Sequence, residues 1–208
     1  DSFNVHVGEG INASARDEFT ILDGKDGVTF VTHMIHVTAQ TSAQFARMGE
    51  VGAKAIWSPQ SNIDLYGRTA DIPAAMNHGV VVALGTDWTP SGTMNLMTEM
   101  KCALHISDSY WDGRLTYQDL VNMVTVNAAM ATGLEDRLGQ LKPGYFADIL
   151  VIASDEEDPY KALVESRPED ILLVTVSGQP AFGDTAMLGE FADDFDMTRC
   201  EDLAAAGW

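Results

Sequence analysis

The sequence is short of cysteine, of basic residues and of long apolar runs. Its two cysteines, Cys102 and Cys200, are too few for a disulfide scaffold and lack the spacing of a metal-binding pair. A reducing cytoplasm is therefore the expected compartment. Twelve Lys and Arg stand against 31 Asp and Glu, a formal net charge of −19. Repulsion on that scale opposes encounter with phosphate backbones and anionic membranes, so neither nucleic acid nor membrane is an expected partner. No apolar run approaches the ~18 residues needed to span a bilayer. No glycine-rich phosphate loop follows any candidate strand, no Gly-x-Ser-x-Gly elbow is present, and neither cysteine has a convincing histidine partner. A covalent hydrolase is thus unsupported.

What is present is enough for a folded core, with 208 residues of which 46% are hydrophobic. Short β-branched runs alternate with helical stretches, which reads as βα units around a parallel sheet. The expected strands are 3–7, 28–32, 53–57 and 80–85, continuous rather than alternating in hydrophobicity, as befits strands covered on both faces. Helices are expected over 41–49, 72–78, 94–107 and 116–131, the last capped by Thr116. Glycines 133, 139 and 144 then break the chain. Strands over 147–152, 171–177 and 179–182 follow, the last two joined as a hairpin at Ser177-Gly178. This divides the chain into a βα unit (1–140), a small β module (141–188) and an acidic tail (189–208). The sequence starts at Asp1 without an initiator Met and is extended by Phe3, so a piece of a longer protein is expected.

Polar residues recur every 25–29 positions just after the expected strands: His6, His33, Ser58 and Asp87. A (β/α)8 barrel uses roughly 31 residues per unit and places its active site at this rim. Two imidazoles and a carboxylate converging there suit Zn²⁺ or a similar divalent ion. Each residue alone also has an ordinary reading, a hydrogen-bonded histidine or a helix-capping aspartate. Glu9, three residues beyond His6, is the acid–base candidate, its other reading being a solvated loop carboxylate. His36 either faces the rim or caps the next helix, while His78 and His105 read as structural.

Several segments in order resemble the metal-dependent amidohydrolase superfamily, in its cytosine deaminase, chlorohydrolase and adenosylhomocysteine deaminase branch. They are His6-Val7-Gly8-Glu9, Thr32-His33-Met34-Ile35-His36, Ser58-Pro59-Gln60-Ser61-Asn62 and Ala83-Leu84-Gly85-Thr86-Asp87. Asn127-Ala128-Ala129 and the stretch from Gly139 to Asp148 continue the likeness. The resemblance implies strands five to eight of a TIM-like barrel plus part of a β-sandwich, the C-terminal half of such an enzyme. The His-x-His pair of the family's first strand has no counterpart here. In an intact enzyme the resemblance implies His6 and Asp87 as metal ligands, with His33 either a third ligand or a holder of the attacking water. Zinc is the implied ion and iron the alternative, with weak or no retention in the half chain. Asp87 would take the proton of water and Glu9 would deliver one to the leaving group. Asn62, Trp88 and Ser91 would shape the pocket of a small-molecule substrate, a heterocyclic amine or cyclic amide. The rival expectation is a non-catalytic half-barrel completed by a missing N-terminal half or by another copy of the chain.

Overall fold

A computed structural model describes residues 1–191, so the acidic tail expected from 189 lies almost wholly outside the described residues. Four parallel strands form one sheet in the order β1 (Phe3–Val7), β2 (Thr32–His36), β3 (Lys54–Trp57) and β4 (Val82–Leu84). Helices join each strand to the next: α1 (Ala13–Asp23) before β2, α2 (Ser42–Val51) before β3, and α3 (Pro59–Tyr66) with α4 (Ile72–Asn77) before β4. Parallel neighbours need such crossovers, and the order 1-2-3-4 means each unit lies beside the one before it. After β4 the chain runs through α5 (Leu96–Tyr110), α6 (Tyr117–Val124) and α7 (Val126–Thr132).

Local chemistry explains these boundaries. Thr41 caps α2 in a capping box with Gln44, and Thr116 caps α6 in another with Asp119. The single helix expected over 116–131 is broken at Thr125, whose backbone (φ −121°, ψ −96°) leaves the helical region. Helix α3 has Pro59 in its first turn, but its N-cap Ser58 makes no side-chain cap bond. The core is built from Met34, Ala55, Trp57, Val82 and Leu84 of the sheet against Phe45, Met48, Met100, Leu120 and Met123 of the helices.

The strand expected over 28–32 is displaced by four residues. The Thr32 hydroxyl donates to the Gly27 carbonyl at 2.7 Å, and the Thr32 backbone N–H donates to Thr29 O at 2.9 Å. Residues 27–32 therefore close as a turn despite their β-branched composition, and pairing begins only at Thr32. The register sets Asn4 beside His33 and His33 beside Lys54, all near the N-terminal ends of their strands.

A second, antiparallel sheet comprises β5 (Ile149–Ile152), β6 (Ile171–Val176) and β7 (Gln179–Gly183). Ser177 (φ 52°) and Gly178 (φ 80°) make the expected two-residue hairpin, whose turn needs positive φ at both positions. Between β5 and β6, α8 (Pro159–Glu165) packs on α5 and α6. Lys101 donates to Ser166 O, and Tyr117 OH donates to Glu165 Oε1 at 3.0 Å. A short helix α9 (Thr185–Gly189) closes the described chain. Among the described residues no helix is long and apolar enough to cross a membrane.

Candidate metal centre

The C-terminal ends of β1, β2 and β4 meet at one rim. His6 is the fourth residue of β1, and Gly8 (φ 72°) turns the chain so that Glu9 follows over the same end. A Cβ on Gly8 would be strained by the positive φ and would press on the buried Gln40 side chain, 1.8 Å from its Oε1, so glycine suits the packing of the β1 loop on the β2 loop here. His36 ends β2 with a left-handed backbone (φ 73°), and Asp87 follows β4 with φ 57°. Both are non-glycine residues in a sparsely populated conformation, strain that the surrounding packing must sustain.

These four residues come together. One ligand atom from each of His6, Glu9 and His36 lies within 4.8 Å of the others. His36 Nε2 is 3.7 Å from Glu9 Oε1 and 3.9 Å from Asp87 Oδ2, and the His6 and His36 rings are 5.2 Å apart. Burial holds the His36 imidazole below its ordinary pKa of 6.5, against the pull of Glu9 and Asp87, and His6 adds to the lowering. The carboxylates thus face a ring that burial biases toward its neutral form.

One short helix grips three of the four. Ser61 donates to Asp87 Oδ2, Asn62 Nδ2 is 3.1 Å from His36 Nδ1, and Tyr66 OH donates to Glu9 Oε1 at 3.0 Å. Burial, and next the hydrogen bond to Glu9, push the Tyr66 phenol up to about 12, so it remains a donor throughout the physiological range. The base of α3 is held from α5. Glu99, completely buried, accepts from the Gln60 backbone N–H at 3.0 Å and from the Thr93 hydroxyl. It supplies in trans the cap that Ser58 does not.

His33 is not part of this cluster, and the expected convergence of His6, His33 and Asp87 is corrected accordingly. With β2 starting at Thr32, His33 lies at the opposite end of the strand from His36 and on its other face. Its Nδ1 is 3.3 Å from Ser2 Oγ and 3.2 Å from Asn4 Oδ1, and its Nε2 is 3.4 Å from Lys54 Nζ. A strand that ended at 32 would have put His33 at the rim; the turn at 27–32 gives that place to His36. Asn62 also differs from expectation, being fully buried behind His36 rather than lining an open pocket. Trp88 is 71% exposed beyond Asp87, and the buried Ser91 donates to Trp88 O at 3.4 Å. Sequence reasoning missed Tyr66 and Glu99. The Ser58-Pro59 start of α3 was a usable signal for the first, since it phases Ser61, Asn62 and Tyr66 on one helix.

The chain matches the amidohydrolase family over residues 7–182. It is 33% identical over 137 residues to a 5-methylthioadenosine/S-adenosylhomocysteine deaminase of Teredinibacter turnerae, covering 63% of this chain and 30% of that protein. The corresponding deaminase of Symbiobacterium thermophilum is 30% identical over 186 residues, 83% of this chain and 41% of its own length. Among solved structures, an adenosine deaminase from Xanthomonas campestris with bound zinc superposes with a TM-score of 0.80 at 21% identity, over 92% of this chain and 49% of that one. E. coli guanine deaminase gives a TM-score of 0.74 at 19% identity, over 88% and 48%. These likenesses in structure are likenesses of fold. The chain spans less than half the length of each of these relatives.

Proposed function

The chain belongs to the amidohydrolase family, and we propose that in its intact form the protein hydrolyses a C–N bond of a heterocyclic amine or cyclic amide. The observation that carries this reading is the gathering of His6, Glu9, His36 and Asp87 at one rim of a parallel sheet. Deaminases among the relatives support the substrate class.

The donor set fits a divalent cation. Two imidazole nitrogens with carboxylate oxygens are the borderline ligands that zinc and iron favour. Separations of 3.7 and 3.9 Å between His36 Nε2 and the carboxylates are close to the spacing of ligands around one ion. We assign His6, His36 and Asp87 to hold it, zinc foremost and iron as the alternative. When bound, such an ion supplies the Lewis acidity that makes hydroxide available near neutral pH.

The chain's own groups perform the rest. Ser61 occupies Asp87 Oδ2, which leaves Oδ1 free to accept the proton that water sheds on attacking the substrate carbon. Tyr66 occupies Glu9 Oε1, which leaves Oε2 to deliver a proton to a ring nitrogen or to the departing amine. A C–O bond forms, a C–N bond breaks, and the nitrogen leaves protonated. The exposed Trp88 stands at the rim as a wall for a planar substrate, with Ser91 fixing its loop.

We further propose that the parallel sheet is strands five to eight of a (β/α)8 barrel, with 141–188 as part of a β-sandwich. The four-strand order leaves β1 and β4 as edges, and the chain's share of its relatives supports a complement supplied by a missing N-terminal half or by a second copy. The test is metal analysis and a panel of heterocyclic amines and cyclic amides, with the product of the full-length gene, reading ammonia or ring opening. Asp87→Ala is expected to lower turnover at least 100-fold. A metal-free protein whose activity survives that change would overturn the proposal.

A further inference from the structure

Behind His36 runs a second set of contacts that the proposed chemistry does not use. Trp57 Nε1 donates to Thr69 Oγ1 at 2.6 Å, the Thr69 hydroxyl donates to Asn62 Oδ1 at 3.3 Å, and Asn62 Nδ2 stands 3.1 Å from His36 Nδ1. Trp57, Asn62 and His36 are 0–1% exposed and Thr69 is half-buried, so the Asn62–His36 contact at the inner end is shut off from solvent. The indole sits on Trp111, ring centroids 5.6 Å apart, which fixes the far end.

The direction of the chain follows from its chemistry. An indole N–H can only donate, so Thr69 accepts and has one hydrogen left to give. That hydrogen goes to Asn62 Oδ1, which turns the amide nitrogen toward the imidazole. Both inner members are bifunctional: a hydroxyl and a carboxamide each donate and accept. Turned over, the same amide accepts from an Nδ1–H, the arrangement that a cation on Nε2 requires. A carboxylate at 62 would serve only one of these states.

We propose that Trp57, Thr69 and Asn62 are positioning residues that hold the His36 ring with Nε2 toward Glu9 and Asp87, resting on the reading of His36 as a metal ligand. The whole device lies on one segment, from the end of β3 through α3 to the loop after it, so it is set when that segment folds. His36 needs such a hold because its left-handed backbone does not by itself fix the ring.

The experiment uses ¹⁵N-labelled protein, with and without zinc, as wild type, Thr69→Val, Thr69→Ser and Trp57→Phe. In the zinc-free protein, Thr69→Val is expected to move the ring ¹⁵N signals of His36 while leaving those of His33 in place, and Thr69→Ser is expected to restore them. Trp57→Phe, which keeps the aromatic ring and deletes the donor, supplies the same comparison should Thr69→Val not fold. His36 signals unchanged in both variants would overturn the proposal. In the zinc arm, Thr69→Val is expected to weaken zinc binding by about 10-fold or more, and equal affinity would overturn the positioning role. Zinc that leaves the His36 ring signals untouched in wild type would instead refute the metal reading, while the zinc-free comparison still decides the positioning chain.

Discussion

Replacing Glu99 tests how the rim is supported. Glu99→Ala deletes the acceptor of two buried donors, the Gln60 backbone N–H and the Thr93 hydroxyl. A buried donor left without a partner costs about 1–3 kcal/mol, so the pair costs about 2–6 kcal/mol. Relief from burying the carboxylate places the expected loss near the lower end, about 2–3 kcal/mol. For a chain of this size that is a fall of roughly 5–10 °C in Tm. Glu99→Gln keeps the volume and one acceptor, and its effect depends on pH. Burial pushes the Glu99 carboxyl above its ordinary value of 4.5, opposed by the bonds from Thr93 and Gln60. The folded wild type therefore binds that proton more tightly than the unfolded chain, and loses stability as pH rises from about 4.5 through the raised value. Glutamine has no such slope, so the stability of Glu99→Gln relative to wild type should grow over that window and then level off. Urea unfolding at a series of pH values reads both effects. Glu99→Ala within 0.5 kcal/mol of wild type, or a Gln-minus-wild-type difference independent of pH, would refute this account of the buried carboxylate.

Two further outcomes follow from the geometry. Gly8→Ala should destabilise clearly more than Gly67→Ala, because both have positive φ but only the first drives a Cβ into Gln40. Thermal unfolding should place the Gly67 variant about 1 kcal/mol below wild type, with the Gly8 variant well beyond it. His33 is held below its ordinary 6.5 by burial and by Lys54, against Ala131 O and Glu135. The unfolded chain then takes up that proton first, so this share of stability is lost as pH falls through 6.5 toward the lowered value. His33→Gln should flatten the acid side of the stability profile, and an unchanged slope would contradict the assignment.

Strands β1, β3 and β4 were legible because each is a short, largely apolar run followed by polar or glycine-containing sequence, and Thr116 announced its helix as an N-cap. The second strand was not, since Val28 to Thr32 and Thr32 to His36 are both plausible runs and only the turn closed by Thr32 decides between them. That slip carried the error at the site. Residues 33 and 36 fall on opposite faces of a strand, so moving the strand end exchanges one histidine for the other. Glu9 and Asp87 were visible from their places after strand ends. Glu99 and Thr69 were not, because a carboxylate on an amphipathic helix and a loop threonine acquire partners only when distant segments pack.

The central claim is that His36, and not His33, joins His6 at the rim proposed to bind metal. Zinc titration by calorimetry, on the wild type and on the separate variants His6→Ala, His36→Ala and His33→Ala, tests it in one series. The account predicts loss of at least 10-fold in affinity for the first two and wild-type binding for the third. Zinc affinity that falls with His33→Ala and survives His36→Ala would contradict it.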